Sequence, residues 1–120
     1  MQLESGSEYL RDESRLSGSG EQLVFVKKCT ELQHYLDLGE KVTVQGSRTG
    51  IAGACVPRVG TVLNCSQMGG ILGKGNDGQG VYMDVLPGTT LEEIRLEAGS
   101  KYFFPPDPTE KTASIGGMLA

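Results

Sequence analysis

Tryptophan is absent from this sequence of 120 residues, histidine occurs once, and aromatic residues make up only 6% of the chain. Lys and Arg number 11 against 15 Asp and Glu, which gives a net charge of −4. Without a basic surplus there is little to neutralise a phosphate backbone, so we expect no nucleic-acid partner. No apolar run approaches the roughly 18 residues of a membrane span, and the first residues lack the apolar stretch of a secretory signal. These absences predict a cytoplasmic protein.

The cysteine pattern excludes two further kinds of site. Cys29, Cys55 and Cys65 form no C-x-x-C motif, and the single His34 has no partner at metal-ligand spacing. We therefore predict free thiols, no disulfide framework and no metal site. Cys65 is expected in the core, whereas Cys55, in a glycine-rich loop, is the candidate for a reactive thiol. The scattered acidic residues form no paired-carboxylate site.

The length corresponds to one domain. Residues 1–20 are polar and end in Ser-Gly-Ser-Gly, so they predict an N-terminal arm before a domain of residues 21–120. Tyr9 and Leu10 are the residues that could anchor this arm. The alternative is a disordered tail.

Glycine is in excess, with 18 residues, ten of which fall between Gly46 and Gly80. Their irregular spacing between apolar residues predicts tight loops joining short strands. The fold class is therefore α+β, with short mixed strands and two small helices. The strands are predicted at Leu23–Val26, Val42–Val44, Thr61–Cys65 and Gly80–Leu86.

Two capping boxes predict the helices. Thr30 with Gln33 begins one helix, whose apolar face carries Leu32, Tyr35 and Leu36, and Thr90 with Glu93 begins the other. Gly39 and Gly99 are suited to the left-handed residue that ends a helix. Asp77-Gly78 predicts a type I′ hairpin turn between Ile71-Leu72 and Val81–Met83.

Three loops carry the candidate chemistry: Gln45–Pro57, Pro105–Pro108 and Ala113–Met118. Small residues in the first loop let successive backbone N–H groups converge on an anion such as a diphosphate. Its spacing matches neither the Walker A nor the Rossmann glycine pattern. The prolines of the second loop could wall a planar ligand, and the third presents Ser114 beside two glycines. Taken singly, the first two loops are better explained as surface connections, and the third carries only a weak signal.

In this order, the three loops resemble the FAD-binding domain (PCMH-type fold) of FAD-linked oxidases of the vanillyl-alcohol oxidase type, including bacterial subunits related to glycolate oxidase and D-lactate dehydrogenase. The resemblance runs from Tyr9 to Ala120. It covers an arm with Asp12, Glu13 and Ser14 and the strand and turn of Thr61–Met68.

The resemblance implies bound FAD. Its diphosphate would rest on backbone amides of the first loop and be closed by the third loop, while two proline segments would lie near the isoalloxazine ring. The implied cofactor-binding residues are Gly46, Ser47, Arg48, Thr49, Gly50, Pro87, Gly88, Pro106, Asp107, Ser114, Gly116 and Gly117. Thr49 stands where covalent relatives carry a flavin-linked histidine, so the resemblance implies non-covalent FAD. Ser47 and Arg48 replace glycines that many relatives have, which is costly wherever a positive φ is needed.

The resemblance further implies the FAD-binding part of an oxidoreductase acting on a 2-hydroxy acid or similar alcohol. Relatives continue beyond the position of Ala120, so we expect an inactive fragment that binds FAD weakly or not at all and lacks a C-terminal domain or subunit. No catalytic acid or base is nominated. One alternative is a non-catalytic remnant or self-associating module, such as a homodimer. Another is an NADPH-using reductase of the same fold.

Overall fold

A parallel three-stranded sheet and an antiparallel hairpin form the framework of the protein. The computed structural model describes all residues from Met1 to Ala120. Its strands are β1 (Gln22–Phe25), β2 (Val42–Gln45), β3 (Thr61–Asn64), β4 (Ile71–Asn76) and β5 (Val81–Val85). Its helices are a 3-10 turn (Glu8–Leu10), α1 (Cys29–Asp37), α2 (Leu91–Ala98) and α3 (Ile115–Leu119). The predicted α+β class, with short strands and two small helices, is confirmed.

The parallel sheet has the order β1-β3-β2, with β3 in the centre. Thr61 is level with both Gln22 and Val42, so the three strands run in step. All four residues of β3 are buried, as expected for a central strand covered on both faces. The carboxyl ends of the three strands therefore share one edge of the sheet.

Helix α1 begins earlier than predicted. Its first residue is Cys29, and the Glu31 carboxylate accepts hydrogen bonds from the amides of Lys27 and Lys28 at 2.8 and 3.2 Å. The predicted box of Thr30 with Gln33 is thus wrong, because an ionised carboxylate binds the free amides more strongly than a neutral pair does.

Packing of α1 matches the prediction only in part. Leu32 and Tyr35 pack against the core cluster, whereas the Leu36 side chain is exposed. The helix stops as expected at Gly39, whose φ is +68°.

The hairpin is confirmed, but its turn is longer than the predicted two residues. β4 and β5 pair antiparallel, with Asn76 opposite Val81. Gly78 has φ +87°, but Asp77 does not enter the positive region that a type I′ turn requires. The side chains of Asn76 and Asp77 instead accept from the amides two residues on, both at 3.0 Å. These local hydrogen bonds favour a wider loop.

Helix α2 follows the prediction closely. The Thr90 hydroxyl accepts from the Glu93 amide at 3.3 Å, and the Glu93 carboxylate accepts from the Thr90 amide at 2.7 Å. Gly99, with φ +62°, ends the helix. The short helix α3 was not predicted. It begins after Ser114, whose hydroxyl lies 3.4 Å from the Gly117 amide.

The N-terminal arm, residues 1–20, packs along the sheet. The Leu3 amide donates to the Glu21 carbonyl, and Met1 and Leu23 exchange two backbone hydrogen bonds. Leu10 is buried, and Tyr9 meets Phe25 edge to face. No helix combines the length and apolar character that crossing a lipid bilayer requires.

A small apolar core lies beneath α1. It consists of Val26, Leu63, Cys65 and Met68. The predicted core position of Cys65 is thereby confirmed.

Candidate functional site

The loop after β2 is fixed at the carboxyl edge of the parallel sheet by one buried side chain. Gln45 is 1% exposed, and its Nε2 donates to the Tyr9 carbonyl at 2.7 Å and to the Cys55 carbonyl at 2.8 Å. Asn64, at the end of β3, donates to the Gly46 carbonyl at 3.4 Å. Residues 46–50 therefore leave the sheet from an anchored base.

Five successive backbone amides in this loop are unpaired. None of the N–H groups of residues 46–50 donates to an acceptor within the chain. Residues 46–49 are half-buried, and Gly50 is exposed. Partly buried amides without partners are costly unless something accepts from them. Such a donor set has the chemistry of an anion-binding nest.

The third loop meets the first one. Ser114 is buried and pairs with Thr90 in an isolated antiparallel bridge. A Cβ on Gly46 would lie 2.2 Å from the Ser114 Oγ, so only glycine lets the two segments approach this closely. The expected convergence of the two loops is found here.

The two glycines after Ser114 differ in availability. The Gly116 amide donates to the Pro87 carbonyl at 2.9 Å, and a Cβ on Gly116 would lie 2.9 Å from the Pro87 Cβ. Gly116 is therefore a packing position, and its amide is not free for a diphosphate. The Gly117 amide has only the long contact to Ser114 and is exposed.

Pro87 and Gly88 form a buried turn beside this loop. The Gly88 amide donates to the Met68 carbonyl at 2.8 Å, and a Cβ on Gly88 would lie 2.4 Å from the Cys65 carbonyl oxygen. Close backbone approach thus requires glycine at this position. Through Gly116, the turn is held next to the meeting point of Gly46 and Ser114.

The segment Pro105–Pro108 is attached to α2. The Asp107 carboxylate accepts from Arg95 at 2.6 Å, although the Asp107 side chain is 79% exposed. Pro106 lines an apolar groove of about 1130 Å³. The groove lies between the hairpin and α2, and its other walls include Phe104, Ile115 and Leu119. Arg95 also donates to the Pro106 carbonyl at 3.5 Å, so both Pro106 and Asp107 are held against α2, at one wall of this groove.

Arg48 makes contacts that the sequence did not reveal. Its Nη2 donates to the Glu8 carboxylate at 2.8 Å, and its Cζ lies 4.2 Å from the centre of the Tyr9 ring. Its backbone has φ +60°, whereas Ser47 avoids the positive region. The Arg48 guanidinium thus contacts the N-terminal arm, and its backbone amide is available as a hydrogen-bond donor in the loop.

The surroundings of Cys55 disfavour its thiolate. Burial and the Asp12 carboxylate, whose Oδ2 lies 3.6 Å from the Sγ, raise the pKa of the Cys55 thiol to about 11. Burial also raises the pKa of Asp12, but hydrogen bonds, chiefly from Ser14, outweigh this effect and lower it overall. Because reactivity needs the thiolate, these surroundings argue against the reactivity predicted for Cys55.

The side chains form no cluster of metal ligands. No group of three or more His, Cys, Asp or Glu residues is placed to hold an ion. The His34 ring instead lies edge to face against Tyr35, with centroids 5.5 Å apart.

Taken together, a parallel βαβ sheet, a nest of free amides at its carboxyl edge and a second glycine loop meeting it define a cofactor-phosphate-binding domain. Residues 22–120 match the sequence profile of the family described as FAD binding domain. The chain belongs to this FAD-binding family of FAD-linked oxidoreductases, with a PCMH-type fold. It is also 35% identical over 81 residues to a D-lactate dehydrogenase from Anaerostipes hadrus. That match covers 66% of this chain and 17% of the relative, so the chain spans a small part of the relative's length.

Proposed function

We propose that the chain binds FAD non-covalently, with the diphosphate on the amides of Gly46, Ser47, Arg48, Thr49 and Gly50. The observation that carries this proposal is that all five amides lack an acceptor within the chain. The Ser114 hydroxyl lies beside Gly46, and the Gly117 amide lies 3.4 Å from that hydroxyl, so both can close this cradle of amides. Neutral backbone donors suit a diphosphate on an acidic protein, because they hold the anion without needing a basic side chain.

The isoalloxazine ring would lie toward Pro87, Gly88, Pro106 and Asp107. The apolar groove beside α3 supports this position, because planar cofactors bind in clefts with mainly hydrophobic walls and few polar groups. The turn at Pro87 supports it too, since it is hydrogen-bonded to the loop that meets the cradle.

The reaction we propose is oxidation of a 2-hydroxy acid similar to lactate, carried out by a protein of which this chain is the FAD-binding portion. The 35% identity to a D-lactate dehydrogenase supports this substrate class. Bound FAD would supply the redox chemistry by accepting the electrons of the substrate, and this chain would position it. A further domain or subunit would supply the substrate site, so we expect the chain alone to be inactive.

FAD titration of three matched proteins tests the cradle. We expect the wild-type chain to quench FAD fluorescence with a Kd weaker than about 1 µM. Gly46→Ala should weaken binding at least about tenfold, because the new methyl group displaces the Ser114 Oγ from the meeting point of the loops. Gly73→Ala is the control, since a Cβ there meets nothing within 4 Å.

Two results would contradict the proposal. If the wild-type chain shows no binding at millimolar FAD, the proposed FAD site is wrong. If Gly46→Ala and the wild type bind FAD with equal affinity, the diphosphate does not bind at residues 46–50. Acid denaturation of the loaded chain should release all of the flavin, because Thr49 cannot form the covalent link made by a histidine. Yellow colour retained on the precipitate would exclude non-covalent attachment.

A further inference from the structure

Arg48 links the proposed FAD loop to the N-terminal arm across 40 positions of sequence. Its side chain pairs with Glu8 and covers the Tyr9 ring, while its backbone adopts φ +60°. Residues with a Cβ avoid this left-handed region, because the Cβ crowds the following carbonyl oxygen. Something outside the loop must therefore favour this conformation over the ordinary one.

The Arg48 guanidinium is enclosed as well as paired. Its Nη1 is fully buried and has no hydrogen-bond partner, and the side chain as a whole is only 20% exposed. An arginine held in this way has few alternative rotamers, so the arm fixes where its side chain can lie. A fixed side-chain position in turn restricts the φ and ψ of its own backbone.

Further contacts hold the arm itself against the same loop. The Tyr9 carbonyl accepts from the buried Gln45 side chain, directly before the first cradle residue. Asp12 accepts from Ser14 and contacts Cys55 in the later part of the loop. The arm thus meets the loop before, within and after the five free amides.

We propose that Glu8 and Tyr9 are positioning residues for the FAD site, acting through Arg48. By holding the guanidinium they select the left-handed backbone at position 48, which turns the amides of residues 46–50 toward one anion. This proposal rests on the proposed function above, but the φ of residue 48 can be measured in the absence of FAD. Loss of the contacts should reduce FAD affinity about tenfold, which corresponds to about 1.4 kcal/mol.

A double-mutant design separates positioning from general stability. Glu8→Gln and Tyr9→Leu are made in the wild-type chain and in an Arg48→Gly background. Glycine adopts φ +60° without steric cost and has no side chain to hold, so the arm variants should lose their effect there. Glu13→Gln is the matched control, because Glu13 is an exposed carboxylate of the same arm with no recorded hydrogen bond.

Two measurements are made on the full chain. FAD titration should show about tenfold weaker binding for Glu8→Gln and Tyr9→Leu in the wild-type background, and no change for either in the Arg48→Gly background. NMR should show the strong intraresidue amide–Hα contact of a positive φ at residue 48 in the wild type. That contact should be lost in the two arm variants and retained with glycine at position 48.

Three outcomes decide between the two proposals. If the wild type binds FAD and the arm variants bind it equally well, the positioning role is overturned and the cradle stands. If residue 48 keeps its positive φ in both arm variants, the positioning role is likewise overturned. If the wild type binds no FAD, the proposed function fails, while loss of the positive φ would still support control of the loop by the arm.

Discussion

Arg48 shows how a single residue combines an unfavourable backbone with favourable side-chain contacts. A left-handed conformation costs a residue with a side chain about 1–2 kcal/mol. A cation–π contact returns about 0.5–1 kcal/mol, and an ion pair with an exposed partner such as Glu8 returns about 0.2–1 kcal/mol. These magnitudes are comparable, so the loop conformation depends on whether the arm is in place.

The thiol of Cys55 is protected by its immediate surroundings. With a pKa of about 11, its thiol remains protonated near neutral pH and should react slowly with iodoacetamide. In a Cys29→Ser background, Asp12→Asn should accelerate alkylation of Cys55, because removing the neighbouring negative charge lowers the pKa of the thiol. Rates followed by mass spectrometry at about pH 8 check this expectation. Unchanged alkylation in the Asp12→Asn variant would show that burial alone protects the thiol.

Helix α2 illustrates stabilisation at the scale of an element. Backbone and side-chain hydrogen bonds from Thr90 lower the pKa of Glu93 below its usual 4.5. A carboxyl group with a lowered folded-state pKa stabilises the fold above its unfolded-state pKa, and this contribution is lost as the pH falls through the lower folded-state value.

Glu93→Gln should therefore lower the free energy of unfolding at pH 7, by about 0.5–1 kcal/mol as for other lost caps. The difference should shrink as the pH falls from about 4.5 and vanish once the pH is below the lowered pKa of Glu93, where the folded wild-type carboxylate becomes protonated. Urea denaturation across this pH range measures the difference in the free energy of unfolding between the two proteins. Glu92→Gln in the same turn is the control, because the Glu92 carboxylate does not accept the Thr90 amide. A deficit of Glu93→Gln that stays constant down to pH 3 would contradict the role of the charge.

The two capping boxes also show what a sequence can predict about elements. The Thr90 box was predictable because both partners lie within four residues and the predicted acceptor, Glu93, is itself a carboxylate. The Thr30 box failed because Glu31 reaches back to Lys27 and Lys28 instead. A local hydrogen bond can be predicted from the sequence where one donor–acceptor pair is clearly stronger than the competing pairs nearby.

Contacts within the site were less accessible to prediction. The meeting of Gly46 with Ser114 was expected only from the order of three loops in a known family, since glycine spacing alone favoured a surface loop. The pairing of Arg48 with Glu8 joins residues 40 positions apart and has no spacing signal. The occupation of the Gly116 amide by Pro87 depends on how two loops pack, which no local pattern encodes.

At the scale of the whole molecule, large apolar side chains remain uncovered around the groove. Phe103 and Leu119 are each 83% exposed, and Tyr102 is 45% exposed. Exposed apolar residues concentrated in one region favour association with another surface.

We therefore expect the isolated chain to dimerise at high concentration, as seen by size-exclusion chromatography with light scattering. Phe103→Ser should weaken this association by reducing the apolar area available for burial. Leu72→Ser is a suitable comparison, because Leu72 is 69% exposed but does not line the groove. A single monomeric species at millimolar concentration would contradict the predicted dimerisation.

The order of the parallel sheet has a consequence for biosynthesis. Its two outer strands, β1 and β2, both hydrogen-bond to β3 and not to each other, although they are made first. As the nascent chain leaves the ribosome, β1 can pair only with the first residues of the arm, and β2 has no partner strand, until the segment Thr61–Asn64 has emerged. Translation therefore has to proceed past the Gly46–Gly50 segment before the sheet can assemble, and until then the two apolar strands are open to chaperones.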